Sequence, residues 1–485
     1  MLRDFFLKSF RKAFPYELTP KQIEVVDSLF QFVFSNEPLG VYILRGYAGT
    51  GKTLFVSALV RVMQTIERNV ILLAPTGRAA KVFSINADTP AYTIHKQIYR
   101  QQSFTAEDTR FELDRNTNKD TLFIVDEASM ISAQSDEHSL FGSGNVLHDL
   151  LNYVYRSKGC RILFVGDNAQ LPPVGEDYSP ALQPSYLTEL GFKVSGFQLV
   201  EVLRQEKDSG ILHNATILRQ RISEDDVYEA PVIQLQHFED IRRINGDEIV
   251  ETLQESVDRV GQAQTIVLTR SNKQANVYNQ GIRSYLFGRE EGLQRGDMVM
   301  IVRNNYFWTE QLATALKNKK SKESVPMDFI ANGDIAEVLE VSNEMELYGL
   351  HFADVSLRFP DYNDFEMHRV RVVLDTLTSD GPALSREMEH RLFLGVSEDY
   401  ADERSKKERM KKIRLDPNYN ALQIKYAYAI TCHKAQGGQW KNVFLDQGWL
   451  PADSIDVGYY RWLYTAFTRP TEQLNLLAWP QTQSE

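Results

Sequence analysis

The sequence predicts an α/β fold built on parallel sheets, and three short apolar runs carry that expectation. Val41-Tyr42-Ile43-Leu44, Thr121-Leu122-Phe123-Ile124-Val125 and Arg161-Ile162-Leu163-Phe164-Val165 each run straight into polar residues. Continuous apolar runs of this length suit strands covered on both faces. Polar ends gathered at one edge of such a sheet are where open α/β folds place their ligands.

The first run leads into GYAGTGKT, residues 46–53, and residues 54–60 continue as a helix with few breakers. Strand, glycine-rich turn and helix start match the phosphate-binding P-loop at Gly46, Gly51, Lys52 and Thr53. The glycines let the amides of a loop through Ala48, Gly49, Thr50 and Gly51 turn inward, and the helix N-terminus adds partial positive charge. Lys52 offers a cation to the outer phosphates, and the Thr53 hydroxyl a ligand for Mg²⁺. The chemistry expected is that of a nucleoside triphosphate with its metal.

The second run ends in Asp126-Glu127-Ala128-Ser129. Beside a P-loop, Asp126 suits the Mg²⁺ shell, and Glu127 suits polarising the water that attacks a γ-phosphate. The third ends in GDNAQLPP, where Gln170 is placed either to sense the γ-phosphate or simply to make the turn before Pro172.

A chain of 485 residues predicts three or four domains. Its 43% hydrophobic and 25% charged content suit a soluble globular protein with ample core. No apolar run approaches a membrane span, so no membrane partner is expected. The opening MLRDFFLKSFRKAF predicts a surface helix packing Phe5, Phe6, Phe10 and Phe14 rather than a leader. Two cysteines, Cys160 and Cys432, allow neither a disulfide framework nor a zinc-ligand set, so a cytoplasmic protein is expected. The net charge of −11 does not exclude nucleic acid, because a groove is local. Lys317, Lys319, Lys320 and Lys322, and the run ERSKKERMKKIR at 403–414, could touch phosphates or simply be solvated.

Taken together, GYAGTGKT, LLAPTGRAAKVF, TIHK, VDEAS, VGDNAQLPPVG, YAITCHKAQGGQWKNVFL and YTAFTRP resemble the superfamily 1 helicases, in their RecD/Dda-like (superfamily 1B) branch. The resemblance covers most of residues 16–205 and 420–475, in the family's order. It implies two RecA-like P-loop motor domains, ATP and Mg²⁺ as cofactors, and 5′-to-3′ movement on DNA. Residue by residue, Gln22 matches the Q motif that reads adenine, with an exposed helix glutamine as the alternative. Lys52, Thr53, Asp126, Glu127 and Gln170 keep the roles already given, and Gly437 joins the nucleotide set. Arg204 and Arg469 match arginine fingers from the second motor domain. A planar guanidinium suits the charge that develops on the γ-phosphate oxygens.

The DNA-facing residues implied are Pro75, Thr76 and Gly77, then Thr93, His95 and Lys96, then His433 and Lys434. A capped core histidine is the alternative for His95. Phe104 and Phe111 flank a polar turn, as in a β-hairpin, where the family places a strand-separating pin; Phe104 is the candidate wedge, and a plain surface hairpin is the alternative. Alternating runs between residues 298 and 373 predict a small β-domain, matching the SH3-like barrel inserted in the second motor domain. Residues 380–420 look helical and charged.

The division expected is 1–200 for the first motor domain, with the hairpin at about 97–120, and 201–300 for the first part of the second. Residues 301–420 hold the barrel and its helical extension, and 421–485 complete the second motor domain. The partners expected are single-stranded and forked DNA. A monomer is expected, since one chain carries both halves of the ATP site. An RNA-directed helicase and a nucleic-acid-stimulated clamp without unwinding stay open, because these motifs follow a sugar-phosphate track.

Overall fold

Phenylalanines at helical spacing carry the first helix into the core. The computed structural model describes residues 2–101, 111–135, 141–199, 209–318, 325–327, 329–451 and 454–485. In it α1 (Leu2–Ala13) buries Phe6 and Phe10, and the Phe10 ring lies 4.7 Å from that of Phe55. Phe14 is buried beside them, but Phe5 is 48% exposed. One residue before Phe6 along a helix, Phe5 is turned about 100° off the buried stripe, which corrects the expectation that all four pack. α2 (Pro20–Phe34) starts at a capping box in which Thr19 and Gln22 bond each other's backbone N–H, with Pro20 at the first turn.

The chain then builds a six-stranded, all-parallel sheet in the order β3-β2-β6-β7-β1-β8. Its strands are β1 (Gly40–Gly46), β2 (Val70–Ala74), β3 (Ala91–Thr93), β6 (Leu122–Val125), β7 (Arg161–Gly166) and β8 (Lys193–Leu199). Alternate residues feed two cores. Tyr42, Leu44, Leu163 and Val165 pack with α1, α2 and α3 (Lys52–Thr65), while Val41, Ile43, Ile162 and Phe164 pack with α6 (Val146–Tyr155). Each fully buried side chain of this size contributes about 1.5–3 kcal/mol. That double burial is why these strands read as unbroken apolar runs. α4 (Gly77–Ala87) follows β2, and α5 (Ile94–Ile98) follows β3. Next comes an antiparallel pair, β4 (Tyr99–Gln101) with β5 (Phe111–Leu113), the base of the expected hairpin. Phe104 lies outside the described residues. α7 (Pro184–Glu189) precedes β8, and α8 (Gly210–Ser223) follows it.

A second all-parallel sheet runs β16-β10-β17-β18-β9. It uses β9 (Ile241–Ile244), β10 (Thr265–Thr269), β16 (Ala429–Thr431), β17 (Trp440–Leu445) and β18 (Pro470–Leu477), with helices α9 (Ile249–Val260) and α10 (Asn272–Phe287). Between β10 and β16 sits the expected barrel. It is closed by β11 (Met298–Ile301), β12 (Ile335–Leu347), β13 (Leu350–Phe359), β14 (Phe365–Val373) and β15 (Leu422–Tyr426). α11 (Phe307–Asn318) leaves β11 and carries Lys317; Lys319, Lys320 and Lys322 lie outside the described residues. α12 (Arg386–Asp399) and α13 (Lys406–Arg414) account for the charged extension, and Leu392, Val396 and Ile413 pack on Leu350, Phe352 and Val373 of the barrel.

By contact the chain divides into two units. One comprises Met1–Ser103, Thr109–Glu239 and Pro451–Thr468, and the other holds Asp240–Leu450 and Arg469–Glu485. α14 (Val457–Phe467) therefore belongs with the first sheet, where it packs along α8. This partition by contact differs from a sequence boundary at 200, because α8 and α14 find their neighbours in the first unit.

Candidate nucleotide site and nucleic-acid segments

Gly46, the last residue of β1, has no room for a side chain. A Cβ there would lie 2.8 Å from Thr50 Oγ1 and 2.9 Å from Lys52 Cγ. Gly49 and Gly51 hold φ of 77° and 78°, a region glycine enters freely. α3 then opens on Gly51 with no side-chain cap, so its first-turn N–H groups point where an anion would sit. Lys52 Nζ donates to Gly46 O at 2.6 Å and Tyr47 O at 2.9 Å, and lies 4.0 Å from Asp167 Oδ2.

Asp126 and Glu127 leave β6 beside this loop. Burial raises the Asp126 carboxyl to about 7, and the Glu127 charge adds to the rise. The Glu127 N–H, 2.9 Å from Asp126 Oδ1, and the Lys52 cation oppose it. Glu127 sits at φ 51°, a left-handed conformation that a non-glycine residue keeps only where its surroundings enforce it. Two crowded acids beside one lysine suit a divalent cation, and Thr53 and Asp126 are the residues of this chain that could hold it. Gln170 is buried, and its Oε1 has no hydrogen-bond partner among the described residues. An orphaned acceptor at this sheet edge suits a γ-phosphate relay through water. Among the described residues no group of three or more His, Cys, Asp or Glu side chains is spaced for a metal.

Three residues in this unit escaped the sequence reading. Asp167 is buried, its carboxyl pushed up by burial and pulled back by Lys52 and by Tyr464. The Tyr464 hydroxyl donates to Asp167 Oδ2 at 2.7 Å and accepts from the Ala48 N–H at 3.0 Å. Arg219 of α8 stands 4.2 Å over the Tyr47 ring. Asp167 and Tyr464 sit inside GDNAQLPP and YTAFTRP, so the phrases flagged them without assigning a task. Arg219 has no local signal at all.

Gln22 is buried rather than exposed, and its Oε1 accepts from the Thr19 N–H at 3.0 Å. Its amide NH₂ is the group that could donate to a base. Arg204 lies outside the described residues. Arg469 belongs to the second unit, where it is buried and Nη1 donates to Gly438 O at 3.1 Å and Ala435 O at 3.4 Å, on either side of Gly437 at φ 74°.

The DNA candidates of the first unit sit at the C-terminal ends of neighbouring strands. Pro75, Thr76 and Gly77 follow β2, while Thr93 ends β3 and His95 and Lys96 follow it. Thr76 and Thr93 cap α4 and α5, accepting from Ala79 N–H and Lys96 N–H, each at 3.2 Å. Burial holds His95 down at about 4, so it is neutral at pH 7; its ring meets Phe141 edge-on at 5.0 Å. Lys96 Nζ lies 4.6 Å over the Tyr92 ring. In the second unit, His433 and Lys434 follow β16. Burial, with Lys425 adding, lowers Lys434 to about 8, and its buried Nζ has no hydrogen-bond partner among the described residues. A lysine left this way suits an incoming anion.

Two family models fall on the segments that carry these motifs. One, described as an AAA domain, matches residues 17–230, and the other, a UvrD-like helicase C-terminal domain, matches 426–477. The chain carries the ATPase and C-terminal domains of a superfamily 1 helicase. Among relatives of this helicase, the uncharacterized protein R530 of Acanthamoeba polyphaga mimivirus is 22% identical over 94% of the chain and 99% of its own length. The uncharacterized protein MJ1519 of Methanocaldococcus jannaschii is also 22% identical, over 90% of the chain but 36% of itself. The ATP-dependent RecD2 DNA helicase of Deinococcus radiodurans is 33% identical over 27% of the chain and 16% of itself. Solved structures similar to this helicase include Bacteroides Pif1 bound to ssDNA, at 16% identity and a TM-score of 0.48, with 96% of this chain and 94% of that one covered. Pif1 from Candida albicans follows at 15% identity and 0.44, covering 96% of each. Among the described residues, no helix of this helicase is long and apolar enough to cross a membrane.

Proposed function

We propose that the chain is an ATP-dependent DNA helicase that moves 5′-to-3′ on single-stranded DNA and unwinds duplexes, driven by Mg-ATP hydrolysis. The motor domains in this reading are 1–200 and 201–300 with 421–485, and 301–420 is the barrel insertion. The observation that carries it is one sheet edge. The P-loop follows β1, Asp126-Glu127 follows β6 and Gln170 follows β7, while both first-unit DNA segments leave β2 and β3 of the same parallel sheet. The stretch shared with RecD2, a DNA helicase by name, supports the choice of DNA over RNA.

Bound Mg²⁺ would neutralise phosphate charge. The chain's own residues do the rest. Gln22 donates its amide to the base, and the amides of Gly49, Thr50 and Gly51 with Lys52 cradle the phosphates. Thr53 and Asp126 hold the metal shell, Glu127 takes a proton from the attacking water, and Gln170 senses the γ-phosphate. Arg204 and Arg469 act as arginine fingers. Pro75, Thr76, Gly77, Thr93, His95, Lys96, His433 and Lys434 follow the strand, and Phe104 is the wedge.

Unwinding of duplexes with a single-stranded tail at the 5′ or the 3′ end tests the proposal. Activity on DNA with the 5′ tail supports it. Equal or better unwinding of the matched RNA duplex, or DNA-stimulated hydrolysis without strand separation, overturns it.

A further inference from the structure

One buried carboxylate stands between the P-loop lysine and the last helix. Asp167 Oδ2 lies 4.0 Å from Lys52 Nζ and accepts the Tyr464 hydroxyl proton at 2.7 Å, while Oδ1 accepts from the Ala169 N–H at 3.0 Å. The same Tyr464 oxygen accepts from Ala48 N–H in the P-loop. One residue on, Thr465 Oγ1 accepts from the Leu171 N–H at 2.9 Å. α14 thus holds the P-loop by one hydroxyl and the turn after β7 by another, all within the first unit.

We infer that Asp167 and Tyr464 form a nucleotide-responsive latch, by which the position of Lys52 sets how firmly α14 grips the P-loop. The inference rests on the reading of that loop as a nucleotide site. Lys52 now spends its protons on Gly46 O and Tyr47 O, neutral acceptors that a phosphate outbids. As Lys52 turns to a phosphate, Asp167 loses part of its nearest positive charge. A buried carboxylate short of a cation draws harder on its remaining donors, the Ala169 N–H and the Tyr464 hydroxyl, and of these Tyr464 is the one that holds the P-loop. The grip on Ala48 and on the turn then tightens. When the phosphate leaves, Lys52 returns and the grip relaxes. Tyr464 is in this account a positioning residue, since it touches the loop and not the reacting atoms.

The test is hydrogen exchange of residues 457–467 in the full chain, with and without Mg-ADP or a non-hydrolysable ATP analogue, beside equilibrium binding of the same nucleotides. Nucleotide should slow exchange there by roughly fivefold or more in the parent. In Tyr464→Phe, binding should stay within about threefold while the nucleotide-dependent change disappears and kcat falls about tenfold. A parent that binds nucleotide with no change in α14 overturns the latch and leaves the nucleotide site standing. A parent that binds none overturns both. If Tyr464→Phe lowers protection equally in both states, the hydroxyl is only structural and the latch fails. Should that variant not fold, Asp167→Asn keeps an acceptor for Tyr464 but no charge for Lys52. Exchange that still responds to nucleotide in Asp167→Asn overturns the proposal, and exchange that no longer responds supports it.

Discussion

Glu127 is held in a left-handed backbone conformation at the end of β6, next to the half-buried Asp126. Glu127→Gln keeps the side chain's size and removes its ability to take a proton. Nucleotide binding should persist, and phosphate release at saturating ATP should drop by at least about a hundredfold. Turnover at the parental rate would remove Glu127 from the chemistry. His95 supplies a second residue-scale prediction. Its folded-state value is held at about 4 by burial, below the ordinary 6.5, so the unfolded chain takes up the proton first as pH falls. The stability this group contributes is complete above pH 6.5 and is lost progressively toward pH 4. Comparing urea unfolding of the parent and His95→Gln at pH 7 and pH 5, the parent should lose up to about 2 kcal/mol more than the variant. Parallel losses would mean the imidazole is solvated.

At the scale of elements, legibility in the sequence followed burial. β1, β6 and β7 were plain because both faces are covered, leaving no polar position to interrupt the run. The barrel's last strand, β15, was not. Its Gln423 and Lys425 are buried yet satisfied from a distant segment, Gln423 Oε1 by Leu384 N–H at 2.9 Å and Lys425 Nζ by Ser379 O. No local pattern announces partners some forty residues away. The contact between Tyr464 and Asp167 spans 297 positions and was invisible for the same reason. Two element-scale predictions follow from packing. Ile413 is fully buried between α13 and the barrel, so Ile413→Ala should cost about 2–4 kcal/mol locally and speed hydrogen exchange over 386–414. Unchanged exchange there would show that α13 does not depend on this contact. The hairpin base is fixed by the Arg100–Glu112 register and by Phe111 stacked on Phe141 at 4.6 Å. Replacing residues 102–110 with a tight turn should therefore leave DNA-stimulated ATPase intact and abolish strand separation. Full unwinding by that variant would dismiss Phe104 as a wedge.

At the scale of the whole molecule, the net charge of −11 says only that any strand must be held by a local track. In the first unit the candidates are the capped N-termini of α4 and α5 and the neutral His95, and in the second, taken by itself, Lys434. A phosphate track releases counterions when it binds, so stimulation of hydrolysis by single-stranded DNA should be strong at low salt and fade as salt rises. Polarity is the harder claim. Strand direction is set by which end of the nucleic acid meets the first motor domain, and the 5′-to-3′ direction proposed rests on the resemblance of the ordered motifs to the RecD/Dda-like branch. The chain should accordingly unwind a duplex only from a 5′ single-stranded tail, with Lys52→Ala inactive on every substrate. Tail-swapped substrates of equal length and sequence isolate direction from affinity. A strict requirement for a 3′ tail, with hydrolysis still stimulated by the same DNA, would keep the motor and the nucleotide site but reverse the track.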